Sequence, residues 1–106
     1  MGLIANLKKF LGIGEGINLG EIIAAGAKII DVRTPGEFAG GHINGSVNIP
    51  LNTLVGTITK FKKDEVIITC CASGMRSRSA KGILQSRGFT KVYNGGSWYS
   101  LTKYVK

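Results

Sequence analysis

The sequence predicts a single α/β domain built on a parallel sheet with helices on both faces. Short apolar runs alternate along the chain with segments whose apolar residues recur at helical spacing, as in successive β-α-β units. The chain has 106 residues, which is enough for one domain and too few for two ordinary ones. Apolar residues make up 43% of it, a fraction typical of chains that fold around a core.

Residues 1–17 precede the domain, which we assign to residues 18–106. Five apolar residues of the first eleven fall on one face of a helix: Leu3, Ile4, Leu7, Phe10 and Leu11. Glycines at positions 12, 14 and 16 end this amphipathic helix and predict a linker. The apolar stretch is far shorter than the roughly 20 residues that span a membrane. We expect the helix to pack on the domain; docking on a membrane surface or a partner is the less favoured alternative.

The domain begins with a predicted helix at residues 19–25, which Asn18 caps and Gly26 ends. A buried strand at residues 29–32 follows. Thr34 then caps a short helix that has Pro35 at its first position and Glu37 as the partner of a capping box. Further strands are predicted at residues 46–49, 66–69 and 92–93, and further helices at residues 51–61 and 76–88.

The charge and the cysteines exclude several classes of protein. The net charge of +8 indicates attraction to anions, but the basic residues are scattered and no RNA-binding or zinc-finger motif is present. We therefore expect a solvated basic surface and no nucleic acid partner. Cys70 and Cys71 are adjacent, which disfavours a structural disulfide and fits a reducing compartment, the cytoplasm. With only His42 beside them, they do not predict a zinc site.

The strongest chemical signal follows the strand at residues 66–69, because ligands of parallel sheets bind at the carboxyl ends of the strands. The candidate site residues there are Cys71, Ala72, Ser73, Gly74, Met75 and Arg76. Loop amides at the start of a helix form an anion-binding nest, which favours the thiolate form of Cys71. Gly74 permits the curl of the loop, and Arg76 can hold an oxyanion. The alternative is that both cysteines simply fill a buried strand end.

Three separated motifs resemble the rhodanese family of sulfurtransferases. The first reads DVRTPGEF at residues 31–38, with GHINGSVNIP at 41–50. The second reads CASGMRS at 71–77, and the third reads GFTKVYNGG at 88–96, with Trp98 after it. They stand in the family's order over residues 18–101. The resemblance implies a rhodanese-like α/β fold, a central five-stranded parallel sheet with helices on both faces.

The resemblance also implies a persulfide relay without metal or organic cofactor. The Cys71 thiolate would take the outer sulfur of an anionic donor such as thiosulfate and pass it to cyanide, a thiol or a protein acceptor. The amides of residues 72–76 would cradle the transferred sulfur or the donor oxyanion, and Arg76 would complete the ring. Alternatives are a cysteine phosphatase or arsenate reductase of the same fold, and a non-catalytic sulfur carrier or binding module.

Because two cysteines are adjacent, the sequence leaves open which of them begins the active-site loop. Five residues separate Cys70 from Arg76, which is the phosphatase spacing, and four separate Cys71 from it, which is the tighter sulfurtransferase spacing. We favour Cys71, because residues 74–77 match the second pattern and the loop has no acid to protonate a leaving group. We expect Cys70 to be a buried strand-end residue; the alternative is that it resolves an oxidised Cys71.

Residues outside the loop are expected to support it. The resemblance implies that Asp31 pairs with a basic residue and that Arg33 fixes neighbouring backbone. Ser77 either caps the helix or bonds the sulfur, with capping favoured. His42 is expected in a structural turn and not as a general base. Trp98 and Tyr99 either cover the core or line the rim of the site.

Overall fold

The computed structural model of the chain describes residues 18–105. The predicted N-terminal helix and linker, residues 1–17, lie outside the described residues. The helices are α1 (Leu19–Ala24), α2 (Pro35–Ala39), α3 (Leu54–Thr57) and α4 (Met75–Ser86), and the strands are β1 (Lys28–Asp31), β2 (Val47–Asn48), β3 (Ile67–Cys71) and β4 (Val92–Ser97). Short 3-10 segments at Leu51–Thr53 and Ile58–Lys60 flank α3, and a longer one at Trp98–Tyr104 follows β4. Between residues 18 and 105, no helix is long and apolar enough to cross a membrane.

The four strands form one parallel sheet in the order β2-β1-β3-β4. The parallel α/β architecture is therefore confirmed, but the expectation of five strands is wrong for the part of the chain that the structure describes. The sequence contains four short strand-like runs after residue 18, and each of them supplies one strand. The fifth strand was implied only by the resemblance and had no such run behind it.

Strand β3 lies in the middle of the sheet and is buried along its whole length. Successive side chains of a strand point to opposite faces, so β3 contributes to two separate cores. One core contains Ile67 and Cys71 together with Leu84 of α4. The other contains Ile68 and Cys70 together with Leu101 from the C-terminal 3-10 segment. The two adjacent cysteines therefore lie in different cores.

Two elements differ from their predicted form. The helix predicted over residues 51–61 is broken into two 3-10 segments around the single turn of α3. Its sequence explains the break, because Gly56 and the β-branched residues around it have low helix propensity. Strand β4 runs to Ser97, well beyond the predicted residues 92–93, and its register against β3 shifts between Thr69 and Cys71. This irregularity lies directly beside the predicted site.

Candidate active site

The sulfur of Cys71 lies at the carboxyl end of β3, where it faces backbone amides. Its Sγ atom accepts hydrogen bonds from the N–H of Gly74 at 2.9 Å and the N–H of Ser77 at 3.3 Å. The residue itself is fully buried, whereas Ala72 and Ser73 of the intervening loop are exposed. Two amide donors on one sulfur stabilise a negative charge there.

The backbone at Gly74 brings these amides to the sulfur. Gly74 precedes the first residue of α4 and has a φ of 108°, in the left-handed region that favours glycine. No side chain caps α4, so its first amides are open to the sulfur. A β-carbon at Gly74 would lie 3.6 Å from the Cα of Gly96, so the loop packs closely on β4.

Ser77 does not cap the helix, which makes the favoured interpretation of this residue wrong. Its hydroxyl is buried and lies 2.9 Å from Thr69 Oγ1, and it donates a short hydrogen bond to Asn94 Oδ1. Thr69 in turn donates to the Ser77 carbonyl at 2.9 Å. Ser77 sits in the first turn of α4, too far along for its side chain to reach the first amides. The resulting network fastens the start of α4 to β3 and β4.

Cys70 lies on the opposite face of the sheet from Cys71. Burial, and after it the nearby negative charge of Asp31, raise the pKa of the Cys70 thiol to about 12. The thiol is therefore neutral near pH 7. It is surrounded by the apolar side chains of the second core.

Asp31 and Arg33, at the end of β1, form a buried ion pair. Arg33 donates from Nε to both carboxylate oxygens, at 2.9 and 3.0 Å, and from Nη2 to Oδ2 at 2.7 Å. The hydrogen bonds that Asp31 accepts raise the pKa of the Arg33 guanidinium. The guanidinium also donates to the carbonyls of Gly41, at 2.7 Å, and Glu37, at 3.3 Å. Its other contact is the Trp98 ring, whose centroid is 4.7 Å away. Arg33 thus ties α2 and the following turn to the sheet.

Arg76 forms a two-pronged pair with Glu37, and the hydrogen bonds to Cys71 come from backbone amides. Its Nη1 and Nη2 donate to Glu37 Oε1 and Oε2 at 2.8 and 3.0 Å. The hydrogen bonds from Arg76, followed by the one from the Thr34 amide, lower the pKa of Glu37 to about 2. Glu37 also completes the predicted capping box with Thr34, which is confirmed. One carboxylate therefore joins α2 to the start of α4.

A cavity of about 280 Å³ opens beside Arg76. It is lined by Val32, Thr34, Pro50, Leu51, Asn52 and Arg76. The Arg76 side chain is 36% exposed, and its guanidinium remains charged, since the hydrogen bonds to Glu37 raise its pKa. The cavity therefore combines an apolar wall with one cationic group, which suits a small anion or the anionic end of a larger molecule.

Three further sequence candidates, His42, Trp98 and Tyr99, lie outside the loop at residues 71–77. His42 is exposed, stacks on Phe38 with ring centroids 3.7 Å apart, and places Nδ1 2.8 Å from the Phe38 carbonyl. Trp98 packs against the second core, and Tyr99 is 70% exposed. The sequence did not reveal the site roles of Glu37 or Asn94. For Glu37, the only sequence signal was its capping box, which predicts a local contact and not a distant one.

Comparison with protein families matches residues 18–99 to the model of the rhodanese-like domain. The chain belongs to this family. The match covers most of the chain and includes both cysteines, the Asp31–Arg33 pair and the Glu37–Arg76 pair.

Among its relatives, this rhodanese-like domain is 36% identical over 81 residues to thiosulfate sulfurtransferase GlpE of Stutzerimonas stutzeri, covering 76% of this chain and 74% of the relative. It is 41% identical over 68 residues to the uncharacterized protein YqhL of Bacillus subtilis, and covers 64% of this chain but only 54% of that longer protein. Among solved structures, the human single-domain sulfurtransferase TSTD1 matches with a TM-score of 0.69 at 27% identity. That match covers 80% of this chain and 89% of the human chain. These comparisons support membership of a sulfurtransferase family.

Proposed function

We propose that this protein is a sulfurtransferase that carries sulfane sulfur as a persulfide on Cys71. The observation that carries the proposal is the pair of amide hydrogen bonds from Gly74 and Ser77 to the Cys71 sulfur. A thiolate that attacks from this position has fixed amide donors facing its sulfur and needs no general base beside it. The match to relatives named thiosulfate sulfurtransferase supports the choice of reaction.

The reaction has two balanced half-reactions. In the first, the Cys71 thiolate attacks the outer sulfur of thiosulfate and forms a new S–S bond. The old S–S bond of thiosulfate breaks, and its electron pair leaves with sulfite. In the second, cyanide or a thiolate attacks the outer sulfur of the persulfide and regenerates the Cys71 thiolate. No metal, organic cofactor or external oxidant enters either step.

The surroundings of Cys71 support the following roles for the other residues in the proposed reaction. The loop amides hold the negative charge of the thiolate and then of the persulfide. Arg76, oriented by Glu37, attracts the donor oxyanion into the cavity beside it. Cys71 is fully buried, whereas Ala72 and Ser73 of the adjoining loop are exposed, so the donor approaches the sulfur from the side of these two residues. A free thiol nucleophile suits a reducing compartment such as the cytoplasm. The thiol of a protein is a further class of sulfur acceptor.

The phosphatase alternative depends on Cys70 as the nucleophile. Two observations favour Cys71 over it: the Cys70 sulfur lies in the apolar second core, and burial raises its pKa to about 12. A phosphatase would also need an acid to protonate the leaving group. Glu37 is the acidic residue paired with Arg76, and its pKa of about 2 keeps it ionised at neutral pH.

Mass spectrometry after thiosulfate treatment tests the proposal. The unchanged protein and the matched control Cys70→Ser are expected to gain the mass of one sulfur atom and to form thiocyanate from thiosulfate and cyanide. Cys71→Ser is expected to lose both. If Cys70→Ser abolishes the transfer and Cys71→Ser retains it, the assignment of the nucleophile is wrong. If the unchanged protein gains no sulfur from thiosulfate or a persulfide donor but hydrolyses a phosphate ester, the phosphatase alternative replaces the proposal.

A further inference from the structure

The two amides that face the Cys71 sulfur share a neighbour on the adjacent strand, the side chain of Asn94. Its Oδ1 atom accepts a short hydrogen bond from the hydroxyl of Ser77. The same oxygen accepts a hydrogen bond from the backbone N–H of Gly96 at 2.8 Å. Gly96 in turn packs against Gly74, since a β-carbon at Gly74 would lie 3.6 Å from the Cα atom of Gly96. One side-chain oxygen is therefore linked to both residues that donate to the sulfur.

An irregularity in β4 accounts for the position of the Asn94 side chain. Thr69 of β3 pairs with Asn94. The next pair is Cys71 with Ser97, so one residue separates the two paired positions on β3 and two separate them on β4. Such a bulge redirects a side chain and leaves a backbone group without a partner in the ladder. Gly96 lies in the bulge with a φ of 75°, and its amide is the one that Asn94 accepts.

Thr69 holds Ser77 from another direction. It donates to the Ser77 carbonyl at 2.9 Å, and the two hydroxyl oxygens lie 2.9 Å apart. Both residues are fully buried, and no side chain caps α4. Without the Asn94 oxygen, the first turn of α4 would lose its hydrogen bond to β4 and could rotate. A hydrogen bond weakens steeply as its angle departs from linear, so a small rotation would weaken the 3.3 Å bond from the Ser77 N–H to Cys71 Sγ.

We propose that Asn94 is a positioning residue, which aligns the amides of Gly74 and Ser77 with the Cys71 sulfur and so sets the pH at which this sulfur becomes a thiolate. The inference rests on the proposed function, in which that thiolate takes up the transferred sulfur. Asn94 carries no charge, so its effect reaches the sulfur through the position of the amides.

The charged group that interacts with Cys71 from the start of α4 is Arg76, which is paired with Glu37. Cys70, the neighbour of Cys71 on β3, stays neutral near pH 7 because burial raises its pKa to about 12. Replacing Asn94 by alanine keeps all three of these groups. A change in the ionisation of Cys71 in this variant therefore reports the position of the amides.

The pH profile of Cys71 alkylation tests the role. Iodoacetamide reacts with the thiolate, so the rate of alkylation, followed by mass spectrometry, rises with pH as Cys71 ionises. Asn94→Ala is expected to move the midpoint of this profile up by about one pH unit, a tenfold change in the equilibrium between thiol and thiolate. The matched control is Asn48→Ala, because the Asn48 side chain also makes two hydrogen bonds, to the carbonyls of Asp31 and Arg33 at 3.0 Å. We expect this control to lose stability and to keep the midpoint.

A measurement on the unchanged protein does not depend on how the variants fold. The amide protons of Gly74 and Ser77 and the side-chain carbonyl carbon of Asn94 are expected to change their NMR shifts together, in the pH step in which Cys71 ionises. The role is overturned by an unchanged midpoint in Asn94→Ala, by equal shifts of the midpoint in Asn94→Ala and Asn48→Ala, or by an Asn94 carbon that does not respond in that step.

Sulfur uptake separates this inference from the proposed function. A protein that shows the expected profiles but gains no sulfur from thiosulfate or a persulfide donor would support the role of Asn94 and refute sulfur transfer. A protein that gains sulfur on Cys71 but has the same midpoint in Asn94→Ala would support sulfur transfer and refute the role of Asn94.

Discussion

Replacing Asp31 by asparagine keeps the shape of the side chain and removes its charge from the buried pair with Arg33. The Asp31 side chain is fully buried and that of Arg33 is 5% exposed. In the unchanged protein, both carboxylate oxygens of Asp31 accept hydrogen bonds from Arg33 at 2.7 to 3.0 Å. In Asp31→Asn, an amide NH2 group, which is a donor, replaces one of these oxygens. Either placement of the amide sets a donor against a donor and leaves the guanidinium charge uncompensated.

Removing one partner of a buried ion pair costs about 3–5 kcal/mol of stability. That is a large part of the roughly 5–15 kcal/mol that stabilises a typical domain. The exposed pair of Glu65 and Lys28 provides the control, since its atoms are 3.9 Å apart and its side chains are 25% and 48% exposed. Glu65→Gln removes a charge by the same chemical change, and we expect it to cost at most about 1 kcal/mol.

Urea unfolding of the three proteins, followed by far-UV circular dichroism, measures the difference. A lower midpoint with an unchanged slope reports a loss of stability and not a change in the denatured state. We expect Asp31→Asn to be less stable than Glu65→Gln by at least about 2 kcal/mol, the gap between the two ranges. Equal midpoints for the two variants would refute the reasoning that burial, and not pairing itself, sets the cost.

Three further predictions concern the sheet, the acid range and the cysteines. A β-carbon at Gly95 would lie 2.7 Å from a side-chain carbon and 2.8 Å from a carbonyl oxygen of β3, so Gly95→Ala should lower the stability by about 1–3 kcal/mol. At Gly82 in helix α4 a β-carbon would meet open space, so Gly82→Ala should raise the stability by about 0.5–1 kcal/mol. Thermal unfolding measures both changes. The Glu37 pKa falls from 4.5 to about 2 on folding, so its contribution to the stability is present above pH 4.5 and is lost as the pH falls through 2. Glu37→Gln should therefore weaken the pH dependence of the free energy of unfolding between pH 4.5 and about 2. An unchanged pH dependence in this variant would argue against the pairing. Iodoacetamide at pH 8 should alkylate Cys71 before Cys70, whose thiol has a pKa of about 12, as peptide mapping can check, and the opposite order would contradict the assignment.

Much of the fold could be predicted because its signals are local. The β-branched run at residues 66–69 and the alternation of strands with helices predicted a parallel sheet, and in the structure β3 (Ile67–Cys71) lies inside that sheet. The helix expected over residues 51–61 failed, because apolar spacing alone ignores the low helix propensity of Gly56 and its β-branched neighbours. The expectation of a fifth strand was wrong because it came from the resemblance and not from an apolar run in this sequence.

The sequence by itself determined the place of the candidate site, since a cysteine, a glycine and an arginine between a strand and a helix form a local motif. Only the tertiary structure decided which sulfur faces the amides. The alternation of β3 sends Cys70 into one core and Cys71 into the other, and the positive φ of Gly74 turns the amides toward Cys71. Only the tertiary structure could show that Arg76 pairs with Glu37, 39 positions away, because a contact between distant segments depends on strand order and register.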